Sequence, residues 1–477
     1  MHECIGAFYA YSIYQAGKSA ICNQYESPHV NAFPFSENDP IVYAAPPPKS
    51  SDVVIIGGGI IGITTALYLA QHNQSVTVLE KGRVAAEQSS RNWGWIRKQG
   101  RDEDELPIMI EAARLWPQLA QECGEEIGLR QTGVTYLASS DKEMAEFEAF
   151  MQIAAVHDLD TRILNPGDVS KQIKNMTGTF KGAMITPSDM RAEPSLAVPA
   201  LARLARSKGV RIIENCAARM LDIAAGRTAG VWSEQGHIAT SAVVLAGGAW
   251  SSLFLRKHDI TIPQLSVKAT VAATQPMPEF HDGAAVEKHI AFRRRLDGGY
   301  TLAPAGSHRL YLGPDAFRHA AKYFPALRAD PLGTRYAFRA PPGYPDGWTT
   351  PRDWTPDVPG PFEKMRVLNP APDVSDLKSI AHGFQRLFPQ AGEVRFQKCW
   401  AGMIDIMPDT VPIVDWVPTH PGLLVATGMS GHGFGIGPGM GRVISNLILG
   451  NETGYNLHRF RFSRFTDGSA IRLGTSL

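Results

Sequence analysis

Cysteine is scarce in this chain. Its 477 residues hold five, Cys4, Cys22, Cys123, Cys216 and Cys399, and no two form a C-x-x-C pair. That scatter excludes a disulfide framework and a cysteine-based zinc site and suits a reducing compartment. A cytoplasmic protein with no metal centre is the expectation. Net charge is nearly absent as well, since 47 basic residues against 46 acidic ones leave +1. Such a balance generates no strong field toward polyanions, so no nucleic-acid partner is expected. Long apolar runs are missing too, none approaching the ~20 residues of a membrane span. The opening stretch MHECIGAFYAYSIYQAGKSAICNQ has no basic segment ahead of its apolar patches, so it does not read as a signal peptide. The final GTSL is not a peroxisomal address.

What is present is globular composition, 44% hydrophobic and 19% charged. The length exceeds what one core organises and predicts two or three domains. Residues 1–50 end in AAPPPKSS and read as an extension whose linker is Pro46–Ser51, with Phe8, Tyr9, Tyr11 and Tyr14 available for docking. Strand, helix and strand patterns follow in DVVIIGGG, Ile60 to about His72, and SVTVLE. RDEDELPIMIEAARLWPQLAQEC reads as a helix with acidic residues in its first turn, and MRAEPSLAVPALARLARSKG as another. VRIIEN, SAVVLAGGAW and GLLVATG read as strands, and MSGHGFGIGPGMG as a glycine-rich turn ahead of a helix RVISNLILG. Residues 267–312 alternate apolar and polar, as an antiparallel sheet does, and 341–372 form a Pro-, Gly- and Trp-rich loop. Parallel-type strands early, midway and late, with antiparallel pattern between, imply one α/β domain built from separated segments and a second domain inserted into it.

GGGIIG places Gly57, Gly59 and Gly62 in the G-x-G-x-x-G spacing of a dinucleotide fingerprint. The first glycine makes the turn, the second admits a pyrophosphate, and the third lets helix pack on sheet. Backbone N–H groups around Ile60 and Ile61 open the helix toward phosphate. Glu80, followed by Lys81, ends the second strand 18 residues beyond Gly62, where a carboxylate accepts from ribose hydroxyls and disfavours a 2′-phosphate. The later turn GHGFGIGPGMG has no register giving G-x-G-x-x-G, so no separate nicotinamide site is expected.

SSRNWG, VVLAGGAWS, RRRLDGGYTLAP, WAGMIDIMPDTVPIVD and LLVATGMSGHGFGIGPGMG follow the fingerprint in that order. Together these stretches resemble the FAD-dependent D-amino-acid oxidase superfamily, in its glycine oxidase, sarcosine oxidase and D-amino-acid dehydrogenase branch, over about residues 51–450. The resemblance implies an α/β fold, a Rossmann-type FAD-binding domain with an inserted, mainly antiparallel α+β substrate domain. The FAD-binding domain would comprise 51–130, 183–255 and 400–455, the substrate domain 131–182 and 256–399, and the C-terminal tail 456–477. Gly57, Gly59 and Gly62 would hold the pyrophosphate, Glu80 the adenosine ribose, and Ala218 the adenine. Ser89, Ser90, Asn92, Trp93 and Gly94 would run along the ribityl and flavin region. Gly247, Gly248, Trp250 and Gly402 would close the site, and Gly431, His432, Gly433, Phe434 and Gly435 would border the flavin. Helix N–H groups there suit negative charge on reduced flavin.

The substrate expected from this resemblance is an amine or amino acid, oxidised at its C–N bond to an imine that water hydrolyses. The electrons would pass to oxygen, or to a quinone or other carrier, with peripheral membrane contact through residues 1–50 as one arrangement. A hydroxy-acid dehydrogenase and a non-catalytic FAD-holding subunit are the competing readings. Trp95 is a candidate wall of the substrate space. Arg97 is either a fork for a substrate carboxylate or a partner of Asp102 or Glu103. Arg293, Arg294 and Arg295 read as a solvated sheet face. Two positions depart from sarcosine-oxidase-like relatives: Tyr311 stands where they carry a lysine, and Asp315 where they carry an active-site histidine. Cys399 occupies the place where some relatives attach flavin covalently, although the loop after it matches the non-covalent type. His432 is a flavin neighbour or a base.

Overall fold

The computed structural model describes residues 35–331 and 333–474. Phe8, Tyr9, Tyr11, Tyr14, Cys4 and Cys22 lie outside the described residues. The first sheet has six strands in the order Ile413–Trp416, Leu423–Thr427, Ala242–Leu245, Val53–Ile56, Val76–Leu79 and Arg211–Ile213. All pair in parallel except the first two. Buried parallel strands need apolar side chains on both faces, and VVII and VTVL supply them. Val53 and Ile55 face a core built with the helices Ile60–Gln71, Leu106–Cys123, Pro194–Ser207 and Gly433–Leu449. Val54 and Ile56 face the other core, with a three-stranded sheet of residues 218–239 and the aromatic residues Trp250, Phe254, Tyr344, Trp354 and Phe362.

Glycine is a poor helix former, yet the stretch read as a turn is helical from Gly433 onward. Tertiary packing overrides the propensity here. A Cβ on Gly437 would lie 2.6 Å from Ile60, on Gly439 2.4 Å from the Ile108 carbonyl, and on Gly441 2.3 Å from Thr64. The missing side chains let three helices approach closely behind the site.

The second unit is a ten-stranded, mainly antiparallel sheet that runs from Thr334–Ala337 at one edge to Arg162–Leu164 at the other. Phe396–Ile406 pairs with Leu265–Thr274 along nearly its whole length. The boundaries expected at 183 and 400 therefore fall inside two of its strands, Gly182–Thr186 and Phe396–Ile406. The helix Val374–Leu387 buries Leu377, Ile380 and Phe384 against it.

Two peripheral segments clamp the first domain. Arg83 donates to the carbonyls of Asp39 at 2.8 Å and Glu37 at 3.0 Å, and Glu37 accepts from the amides of Arg366 and Val367. The proline-rich loop, ordered by buried Tyr344, Trp354 and Phe362, continues through a short helix Pro361–Lys364 to Leu368. Lys81 donates to the carbonyls of Met365 and Arg366 at 3.0 and 2.8 Å, and Arg91 to Asn369 at 2.6 Å. Among the described residues, no helix is long and apolar enough to cross a membrane, and no group of three His, Cys, Asp or Glu is placed to hold a metal ion.

Candidate active site

The strand order reverses beside Val53–Ile56, which leads left to one neighbour and right to the other. Ligands bind at such a switch point, beyond the carboxyl ends of the strands. A cavity of about 620 Å³ lies there and runs on into the space under the large sheet. Its wall at one end includes Glu80, Arg83 and Ala218, and at the other Tyr136, Val271 and His432.

Gly57 has φ +115°, and a Cβ there would lie 2.3 Å from the Ala246 carbonyl oxygen. Gly62 is the close-packing member, since its Cβ would meet the Gly57 carbonyl oxygen at 2.1 Å. Between them, Gly59, Ile60 and Ile61 present the helix N-terminus to the cavity. Glu80 is on the wall and accepts from the amides of Gly58 at 2.8 Å and Gly82 at 2.7 Å. Burial pushes its carboxyl up to about 7, against the pull of Lys81 and those amides. Lys81 lies 4.4 Å over the Trp250 ring and 2.6 Å from Glu87, which also accepts from the Trp250 indole.

Lys81, Ser89, Asn92, Trp93, Ala218, Gly247, Gly248, Trp250 and Gly402 all line the cavity, as do Gly431, His432, Gly433, Phe434 and Gly435. Three other candidates stand behind the wall. Gly62 packs against Gly57, Ser90 donates to the Ala85 carbonyl at 2.5 Å, and Gly94 is pressed against the Ala192 carbonyl and Arg293. The residues present fit a dinucleotide: the turn glycines Gly57 and Gly59, the helix N-terminus at Ile60 and Ile61, and the acid Glu80 at the ribose position all line one cavity.

At the far end, Trp93 and Trp95 meet edge to face at 5.2 Å, and Tyr136 lies 6.4 Å from Trp95. Arg97 is on the wall with its guanidinium 5.8 Å from the Tyr136 ring. It donates to the Gln99 carbonyl, while Asp102 pairs with Arg459 at 3.3 Å. Arg101 is fully buried on the same wall and donates to the carbonyls of Arg97 and His432 at 3.2 Å each. Glu105 caps the Leu106–Cys123 helix rather than filling its first turn. Its Oε2 is 3.0 Å from His432 Nδ1 and 3.4 Å from Arg101. Burial alone would push Glu105 up, but His432 and Arg101 hold it below the usual carboxylate range. Burial and the Arg101 charge hold His432 below its ordinary value, so the ring is neutral near pH 7.

Tyr311 is not on the wall. It packs edge to face on Tyr344 at 5.8 Å, while His308, on the opposite face of the same strand, lines the cavity. Asp315 is also elsewhere, bonded to Arg256 at 2.5 Å in a buried network with Asp346. Cys399 is wholly buried in the core between the large sheet and the Val374–Leu387 helix, off the cavity wall, and burial pushes its thiol up to about 12. A thiol so held is a poor nucleophile and does not reach a flavin. The arginine run is not a solvated face. Arg293 is 2% exposed, pairs with Glu193 through two bonds of 2.8 and 2.9 Å, and donates to the Trp93 carbonyl at 2.6 Å. It braces the tryptophan wall from behind.

The family model for FAD dependent oxidoreductases (DAO) matches residues 52–447. The chain belongs to this family. Among curated relatives it is similar to human mitochondrial sarcosine dehydrogenase, 23% identical over 419 residues, covering 85% of this chain and 40% of that protein. The chain thus spans less than half of that relative. Glycine oxidase of Bacillus subtilis is 22% identical, covering 85% of this chain and 95% of its own. Among solved structures, the L-amino acid deaminase of Proteus myxofaciens, in complex with anthranilate, superposes with a TM-score of 0.85 at 28% identity, over 91% of this chain and 97% of that one. As a member of this family the chain is an FAD-dependent oxidoreductase, and Cys399 lies off the wall of the cavity described.

Proposed function

We propose that this FAD-dependent oxidoreductase oxidises the C–N bond of an amino acid or a related carboxylated amine to an imine, which water then hydrolyses. The observation that carries this reading is the convergence of Arg97, Arg101 and His432 with the aromatic wall of Trp93, Trp95 and Tyr136 in one cavity. FAD, when bound, supplies at N5 the acceptor for the substrate's hydride. Arg97 offers a planar fork to the substrate carboxylate and so orients the carbon that gives up hydrogen. The tryptophans and Tyr136 pack on the substrate's apolar part and exclude water. The amine arrives as an ammonium ion and becomes oxidisable once one proton leaves it. His432, neutral and on the wall, takes that proton at Nε2.

The similarity to a deaminase complexed with anthranilate supports the reading, because that ligand combines an aromatic ring, a carboxylate and an amino group. One observation favours a second reading. A histidine held by a buried carboxylate is also what removal of an alcohol proton needs, so a hydroxy acid is the alternative substrate.

The test is anaerobic mixing of the FAD-loaded enzyme with amines, amino acids and hydroxy acids while the visible flavin band is followed. Bleaching by an amino acid or amine is expected, and admission of air then separates oxygen from a quinone or other carrier as acceptor. Bleaching by hydroxy acids alone would overturn the reading. Anthranilate is expected to perturb the flavin spectrum, and Arg97→Leu to weaken its binding roughly 10- to 150-fold, the cost of one charged hydrogen bond.

A further inference from the structure

Glu105 lies far from the fingerprint and outside the glycine-rich stretch, yet three facts converge on it. Its side chain is 1% exposed at the start of the Leu106–Cys123 helix, where the Gly433–Leu449 helix packs closely. Its Oε2 accepts from His432 at 3.0 Å and from Arg101 at 3.4 Å. Its Oε1 is buried without a hydrogen-bond partner among the described residues. A buried carboxylate with one oxygen unsatisfied is costly, so something else must favour keeping it ionised.

The imidazole ring explains it. A neutral histidine protonates one nitrogen, and the partner of that nitrogen selects which. An ionised carboxylate only accepts. Nδ1 therefore carries the hydrogen, and Nε2 keeps its lone pair on the ring that lines the cavity. Arg101 completes the arrangement by holding the His432 carbonyl at 3.2 Å. The charged groups acting on the ring are Glu105, Arg101 and Arg97, one negative and two positive.

We propose that Glu105 is a positioning residue that locks His432 in the Nδ1–H tautomer, so that its Nε2 takes the proton leaving the substrate. This rests on the proton uptake assigned to His432 above. The N–H bond of the substrate ammonium breaks and an Nε2–H bond forms. The nitrogen keeps its electron pair, the imidazolium is stabilised by Glu105, and the proton is returned to water after turnover.

The experiment uses FAD-loaded enzyme labelled with 15N-histidine, with the His432 signals identified by their loss in His432→Asn. Long-range proton–nitrogen spectra read the tautomer, and a pH titration reads the ring's midpoint, neither requiring substrate. The wild type is expected to show Nδ1–H. Glu105→Gln keeps an acceptor but loses the charge, so it should retain Nδ1–H while the midpoint falls by about 1–3 pH units. Glu105→Leu has no acceptor, so the signal should move to Nε2–H. Reduction of the flavin by the panel's fastest amine should then slow by roughly 100-fold or more. Nε2–H in the wild type, an unchanged tautomer in Glu105→Leu, or an unmoved midpoint in Glu105→Gln would overturn the proposal. An undiminished reduction rate in His432→Asn would overturn the proton-uptake role itself, whatever the spectra show for Glu105.

Discussion

Replacing Glu193 by leucine strands a charge. Arg293 is 2% exposed and Glu193 13%, and the two share bonds of 2.8 and 2.9 Å. Without the carboxylate, Arg293 keeps, among the described residues, the carbonyls of Trp93 and Arg294 and the Thr301 hydroxyl, all neutral acceptors. Two charge-assisted hydrogen bonds at about 1.5–3 kcal/mol each disappear, which agrees with the ~3–5 kcal/mol typical of breaking a buried ion pair. Removing both partners in Glu193→Leu/Arg293→Met leaves no unpaired charge. The cost then falls to the ~1–3 kcal/mol of an unsatisfied Trp93 carbonyl, so the double variant is the more stable of the two. The assay is urea unfolding of the FAD-loaded enzyme, followed by flavin absorbance and far-UV circular dichroism, with coincident transitions as the condition for comparing energies. A double variant as unstable as Glu193→Leu, or a single variant costing under about 1 kcal/mol, would refute the reasoning.

Gly62→Ala places a methyl 2.1 Å from the Gly57 carbonyl oxygen and should weaken FAD binding roughly 5- to 150-fold, the span of a 1–3 kcal/mol overpacking cost; flavin fluorescence on titrating apoenzyme measures it, and unaltered affinity would mean the cradle is misplaced. Acid precipitation should leave all flavin in the supernatant, with Cys399→Ser indistinguishable from wild type; yellow protein in the pellet would contradict the buried place of this thiol. Burial lowers the His281 pKa to about 4 from 6.5, so the folded state resists a proton that the unfolded state accepts. Its contribution to stability is full above pH 6.5 and is lost as pH falls toward 4, by up to about 3 kcal/mol. His281→Phe should flatten the fall of the urea midpoint between pH 7 and 5, and an equal slope in both proteins would count against it.

The cofactor half of this molecule was legible because backbone geometry dictates it. Gly57 must adopt φ +115° and Gly62 must touch a carbonyl, so glycine spacing and an acid at position 80 leave a trace in the sequence itself. The reacting half leaves no such trace. Arg101 and Glu105 sit in the charged run RDEDE, which reads as the acidic first turn of a helix, and the partner that meets Glu105 in the buried site is His432, 327 positions away. Arg293 likewise reads as surface until Glu193, 100 positions away, is beside it. The glycines from 433 to 441 suggested a turn because propensity is local, whereas their helix is fixed by contact with Ile60, Thr64 and Ile108. Tyr311 was the wrong face of the right strand. Alternation puts His308 on the cavity side, and only the observed pairing sets which side that is.

The segment from Met365 to Asn369 lies across Lys81, Gly82 and Arg91, and Glu37 fastens it from the other side. The Arg366 carbonyl oxygen would stand 2.2 Å from a Cβ on Gly82, so nothing passes between them. During synthesis, the glycine cradle leaves the ribosome just over 300 residues before this strap exists. Lys81 and Arg91, both on the cavity wall, are therefore set by a segment far away in the chain, and local opening of residues 365–369 would release both side chains at once.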